Sequence, residues 1–230
     1  LAIAVLYELC RMQKLSRTDL ASFDQEAIWF LMRYVEFGRD EEDPFSYKCI
    51  KLLVALNEQY MVSSLPQTQQ PFPRSPSNTS LALADNASQD PQENCIIKVL
   101  SMHGPRFKCF GENLIRLLNR ERDPSVQLLI LKVLFLLFTN EATYEYFFTN
   151  DLHVLVDVFI RELYDLPLES EALRHTYLRV LHPLLINSQL CEPPHYKATE
   201  LVKLLTSLNV ECSHFGPVGA TTVRLLARCL

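Results

Sequence analysis

Residues 123–138 read DPSVQLLILKVLFLLF, and residues 170–185 read SEALRHTYLRVLHPLL. In the first stretch Asp123 supplies an N-cap acceptor, and Pro124 takes the first helical position, where a missing N–H costs nothing. The run 126–138 that follows is the longest apolar stretch of the chain and is broken by Lys132. The cores Leu131-Lys132-Val133-Leu134 and Leu178-Arg179-Val180-Leu181 superimpose, with residues 131 and 178 set 47 positions apart. That spacing is within the range of armadillo and related helical arrays. A third copy, Ile50-Lys51-Leu52-Leu53, begins 81 positions before Leu131. Removing an insertion of roughly 30 residues brings that offset close to one repeat.

The remaining periodicity fills in around these three helices. Apolar residues recur at helical spacing over 1–16, and Ser22 with Gln25 forms a capping-box signal for a helix to Phe37. Asp43 and Pro44 open the next helix, as Asp123 and Pro124 do later. Further helices are expected over 94–102, 107–120, 142–148, 152–166, 171–186, 197–208 and 217–230. They group into triplets of a short, a middle and a long third helix. The expected fold is therefore all-α: an armadillo-type solenoid of about three three-helix repeats, closed by C-terminal capping helices, forming one domain over 1–230. Five glycines in 230 residues and a scarcity of strand patterns agree with it.

Residues 63–92 break the pattern. Their text, rich in Pro, Ser, Gln and Asn, offers too little apolar surface to offset the cost of ordering, so the segment reads as a flexible insertion. Within it, Pro73-Arg74-Ser75-Pro76 fits P-x-x-P, a ligand pattern for SH3 proteins, and also fits a plain linker.

The net charge of −5 and isoelectric point near 5.7 give no general attraction for nucleic acid or anionic lipid. The longest apolar run, 126–138, is interrupted by Lys132 and is shorter than the roughly 18 residues of a membrane span, so membrane insertion is not expected. Residues 1–9 are as apolar as a signal core but lack a basic flank and carry Glu8. Without an initiating Met, the sequence reads as part of a longer chain. Seven cysteines, an odd number lying mostly in apolar helical patterns, suit small buried side chains better than a disulfide framework.

Catalytic signatures are missing: there is no phosphate-binding glycine loop, dinucleotide fingerprint or nucleophile elbow. Cys191, His195, Cys212 and His214 are the nearest approach to a zinc set, but their spacing departs from that of structural sites. No metal or cofactor is expected, and the chain does not read as an enzyme. Its chemistry should instead be recognition. In armadillo arrays the third helices line a groove, which places Lys51, Lys132 and Arg179 at equivalent rungs. Steps of three or four residues add Tyr47 and Glu58, then Leu128, Phe135 and Thr139, then His175 and His182. The expected partner-binding residues are Lys51, Lys132, Phe135, His175, Arg179 and His182. The same spacing also fits a solvated ridge with Phe135 turned into the core.

The strings FGENLIRLLNR (110–120), QLLILKVLFLLF (127–138), TYEYFFTNDLHVLVDVFIRELYDLP (143–167) and SEALRHTYLRVLHPLL (170–185) carry a more specific signal. They resemble the armadillo-type domain of the WISH/DIP/SPIN family of actin-assembly regulators, its fungal branch above all. IKLLVALNEQYMV (50–62) resembles it more weakly. The resemblance implies a non-enzymatic, monomeric nucleation-promoting factor. Such a protein binds and activates the actin-related protein 2/3 complex without a preformed filament, and so acts indirectly on actin, in cytoplasmic cortical patches. The other reading is a passive adaptor that docks a peptide and recruits SH3 proteins.

Replacing residues 63–92 with a short Gly/Ser linker should leave the thermal midpoint almost unchanged. A large fall in a circular dichroism melt would show that the segment packs on the repeats.

Overall fold

The computed structural model describes residues 2–38, 44–64, 93–167, 169–214 and 219–230, and the side chains among them except those at 44 and 210–214. Among the described residues there are eleven α-helices and no strand: α1 (Ala2–Met12), α2 (Arg17–Ala21), α3 (Gln25–Phe37), α4 (Pro44–Ser64), α5 (Cys95–His103), α6 (Lys108–Arg120), α7 (Pro124–Thr139), α8 (Thr149–Asp165), α9 (Glu171–Ile186), α10 (Ala198–His214) and α11 (Ala220–Cys229). The chain is an all-α helical-repeat solenoid. Residues 65–92, the bulk of the expected insertion, lie outside the described residues, as does Asp43; α4 itself continues through Ser63 and Ser64.

Two layers of helices build the solenoid. In one, α1, α4, α7, α9 and α11 lie side by side, the most extensive packing being α7 on α9 and α1 on α4. The other runs through α3, α6, α8 and α10, with α5 tucked against α3. The reason is visible in burial. Residues 52–56 of α4 are five consecutive buried side chains, and α7 buries Val126, Ile130, Leu131, Val133, Leu134, Leu137 and Phe138. Helices covered this completely need neighbours on several sides, and each fully buried Leu or Phe contributes about 1.5–3 kcal/mol relative to exposure.

Polar staples join neighbouring helices where they end. Gln59 on α4 donates through Nε2 to the carbonyls of Cys10 (2.6 Å) and Gln13 (3.0 Å), and its Oε1 accepts from Leu15 N (2.9 Å). These groups belong to the unravelled end of α1, which explains why the periodic pattern over 1–16 stops being helical at Met12. The Tyr60 hydroxyl likewise donates to Phe23 O in the α2–α3 turn. None of the six cysteines at described side chains is in a disulfide.

Two local expectations change. Asp24, not Ser22, caps α3, its Oδ1 accepting from Ala27 N at 2.9 Å. Ser22 instead ends α2, which has its own cap in Ser16. An acidic cap two residues closer to the helix also opposes the helix dipole, which a serine does not. The second change concerns 142–148, which is not an α-helix: a 3-10 turn over Glu141–Thr143 leads into irregular chain. Thr143 Oγ1 turns back to Leu137 O (2.7 Å), and Tyr146 and Phe147 are both buried. Tyr146 donates to Phe107 O at 2.5 Å, and its ring lies against Gly111 in the middle of α6. Tertiary capture of two adjacent aromatics outweighs a weak helix preference here.

A Cβ on Gly111 would stand 2.9 Å from Tyr146 Cε1 and 3.0 Å from Phe147 Cε1. Helix propensity alone favours Gly111→Ala by about 1 kcal/mol, but the two rings are enclosed and cannot withdraw. The substitution should therefore lower the denaturation midpoint, with a net loss of about 1–3 kcal/mol; a gain in stability would show that the aromatic plug is loosely held.

Candidate binding groove

The stacking of α4, α7 and α9 brings the three equivalent rungs together, but in different electrostatic states. Lys51 forms an ion pair with Glu121 at 3.1 Å and lies over the rings of Tyr47 (4.9 Å) and Tyr7 (5.9 Å). Burial opposes ionisation of Glu121. The backbone N–H groups of Asp123 (3.1 Å) and Arg122 (3.0 Å), together with the Lys51 ammonium, nevertheless hold its carboxyl below the usual range. Lys132 pairs with Glu58 at 2.6 Å, from α7 to α4. Both lysines are thus committed within the repeats. The argument that unpaired cations would mark the groove does not apply to them.

Arg179 differs. It is exposed on α9 and has no ion-pair partner among the described residues. With Phe135, Thr139 and His182 it lines a groove of ≈ 320 Å³ between α7, α9 and α11. Leu178, Pro183, Ile186 and Leu225 give the groove its apolar surface, and Arg224 and Arg228 of α11 complete a rim of three guanidinium groups. Neither Arg224 nor Arg228 has an acidic partner among the described residues, and no carboxylate lines the groove. Phe135 is only partly buried, which places it between the two readings of the sequence: packed against the core and facing the groove.

His175 does not line the groove. Its Nε2 is 2.7 Å from Thr222 Oγ1 and 3.4 Å from Glu171, so it fastens α11 to α9. Burial, with Arg179 and Arg174 nearby, depresses its pKa against the opposing pull of Glu171. Phe135, Arg179 and His182 therefore share one groove, Lys132 and Lys51 sit at successively more distant paired rungs, and His175 supports α11. Arg224 and Arg228 were missed because the last helix was read only as a cap. The available signal was two arginines at i and i+4 with no acidic residue within 220–229.

Among the described side chains no group of three His, Cys, Asp or Glu could hold a metal ion; Cys212 and His214 lie outside them. Among the described residues no helix is long and apolar enough to cross a membrane.

Stacked helices in two layers place the chain in the class of all-α helical-repeat solenoids. More particularly, the chain belongs to the SPIN90/Ldb17 leucine-rich domain family, whose model matches residues 42–201. It is 40% identical over 214 residues to Protein dip1 of Schizosaccharomyces pombe, covering 93% of this chain and 52% of that protein. To Protein LDB17 of Saccharomyces cerevisiae it is 34% identical over 208 residues, 89% of this chain and 37% of the relative. To Protein LDB17 of Eremothecium gossypii the identity is 30% over 238 residues, covering 98% and 45%. The chain thus spans about half the length, or less, of these relatives.

The ion pairs predict an asymmetry. Lys132→Glu places a second carboxylate against Glu58, whose Oε2 is already buried without a hydrogen-bond partner. It should lower the thermal midpoint, by on the order of 1 kcal/mol or more in stability. Arg179→Glu and Arg224→Glu should leave the midpoint within about 0.5 kcal/mol of wild type. Equal melting curves for all three would remove the distinction between paired and free rungs.

Proposed function

We propose that this chain is the partner-binding domain of an actin nucleation-promoting factor. In this reading it binds the actin-related protein 2/3 complex and favours its active arrangement without a preformed filament, so that linear filaments are seeded at cortical actin patches. Membership of the SPIN90/Ldb17 family supports it, as does one structural observation: Arg179, Arg224 and Arg228 converge, without acidic partners among the described residues, on an apolar groove. Arginines beside apolar and aromatic groups are the composition of interface hot spots, and three exposed guanidiniums suit an acidic or helical surface on the partner. The role is non-catalytic. Activation follows when the groove binds the active arrangement more tightly than the inactive one, since equal affinity for both shifts nothing. Of the residues expected from sequence, Phe135, Arg179 and His182 make direct contact in this proposal. Lys51, Lys132 and His175 hold the helices that carry them. Through the Pro73–Pro76 tract, SH3 proteins are secondary partners.

The test is actin polymerisation followed by pyrene fluorescence, with purified 2/3 complex, this chain as a monomer and no preformed filaments. Acceleration by wild type and its loss in Arg179→Glu/Arg224→Glu is the expected outcome. Loss of binding should be at least about tenfold if the guanidiniums are desolvated in the complex. Binding without acceleration assigns the chain to passive adaptors. Undiminished activity in a folded double variant overturns the groove assignment.

A further inference from the structure

A second surface lies away from this groove, on α3 in the other layer. Phe30, Arg33, Tyr34 and Phe37 follow one another at i, i+3, i+4 and i+7, which puts them on one helical face. The three aromatics are 66%, 41% and 71% exposed. Tyr34 packs edge-on against Phe45 (4.4 Å), but Phe30 and Phe37 stand largely in water on a helix of a well-packed fold, where folding does not explain them. Beside this ridge is a hollow of ≈ 460 Å³ lined by Trp29, Arg33, Glu36, Phe37, Arg106 and Phe107.

The hollow is built rather than incidental. Trp29 stands edge-on to Phe107 (4.8 Å) and to His103 (4.6 Å), so its walls are fixed by ring packing between α3 and the α5–α6 corner. Its one carboxylate, Glu36, is engaged, with Oε2 accepting from Cys109 N at 2.9 Å. Arg33 and Arg106 have no ion-pair partner among the described residues, and Arg33 lies over the Phe37 ring at 5.9 Å. At the other end of the face, Glu26 and Phe30 border a mostly apolar hollow of ≈ 420 Å³ with Ile3, Leu6 and Phe23. Among the described residues the face is therefore apolar along its length and cationic at its C-terminal end only.

We propose that this face of α3 is a second docking surface, independent of the α7–α9–α11 groove. Its ligand is a short acidic segment of a partner protein that seats an aromatic or leucine side chain between Trp29 and Phe37 while its carboxylates meet Arg33 and Arg106. Charge complementarity decides the class. A basic ligand would meet two guanidiniums that have no ion-pair partner among the described residues, and an uncharged proline-rich one would desolvate both without pairing them.

The experiment pans a phage-displayed random dodecapeptide library on the whole chain, with counter-selection on Arg33→Glu/Arg106→Glu. Enriched peptides are then synthesised and titrated by fluorescence anisotropy. The expected peptides carry several Asp or Glu around a Trp, Phe or Leu. They bind Arg179→Glu/Arg224→Glu as tightly as wild type, and lose about tenfold or more in affinity with Arg33→Glu/Arg106→Glu and separately with Phe37→Ser. All these positions are exposed, and unchanged circular dichroism melts confirm that the variants fold. The proposal is overturned if no peptide survives counter-selection, if the survivors are basic or merely proline-rich, or if the α9–α11 variant abolishes their binding. Self-association by analytical ultracentrifugation that Phe37→Ser removes would assign the face to a second copy and overturn it too. None of these results bears on the polymerisation assay.

Discussion

The structure depends on the fact that α7 has no face it can leave in water. Its sixteen residues contain one charge, Lys132, and eight are buried, so α4, α6 and α9 must close around it. That single requirement sets the order of the layer, α4 beside α7 beside α9, and so determines which side chains are neighbours at its outer edge. Lys132 escapes burial only by reaching across to Glu58, 74 positions earlier in the chain, and its ion pair records the register in which two repeats meet. Where such a helix ends, the layer still needs covering. The amphipathic α11 supplies that cover, with Leu225 and Leu226 inward and Arg224 and Arg228 outward.

Much of this was legible in the sequence because it is written at short range. The Asp-Pro start of α7, the long apolar run, and the repeated Leu-Lys-Val-Leu and Leu-Arg-Val-Leu cores need only helical periodicity to interpret. The stripe through Phe135, Arg179 and His182 follows from them, because equivalent residues of adjacent repeats must lie side by side. What escaped was decided by distant partners. No local pattern pairs Lys51 with Glu121, or draws Tyr146 and Phe147 out of a helix and against Gly111. Asp24 prevailed over Ser22 because α2 forms at all, and a five-residue helix leaves almost no periodic trace. The arginines of α11 had no repeat to be aligned with.

Overall charge proved a poor guide to local field. A chain of net −5 carries a groove with three cations and, among the described residues, no lining carboxylate, while acidic residues serve elsewhere: Glu58 and Glu121 neutralise the lysines of the same stripe, and Asp157 takes Lys197 at 2.8 Å. What matters to a partner is the charge left after internal pairing, summed within roughly a Debye length of about 8–10 Å.

This pairing also limits where binding energy can come from. A ligand that drew Lys51 or Lys132 to itself would first break an existing ion pair and leave Glu121 or Glu58 partly buried, and the exchange of one pair for another yields little net attraction. Arg179, Arg224 and Arg228, with no acidic partner among the described residues, carry no such cost. They are also held in place: Arg179 rises from a helix packed along its length, and the link from His175 to Thr222 fixes α11 against it. Affinity in the proposed interaction should therefore rise toward the C-terminal end of the stripe, with the N-terminal rungs setting the spacing of the helices. A groove fixed in this way loses little entropy on binding and changes shape little. In the proposed interaction, discrimination between two arrangements of a partner would rest on which of them offers an acidic surface of matching shape, with the conformational change in the partner and the solenoid as the template that selects it.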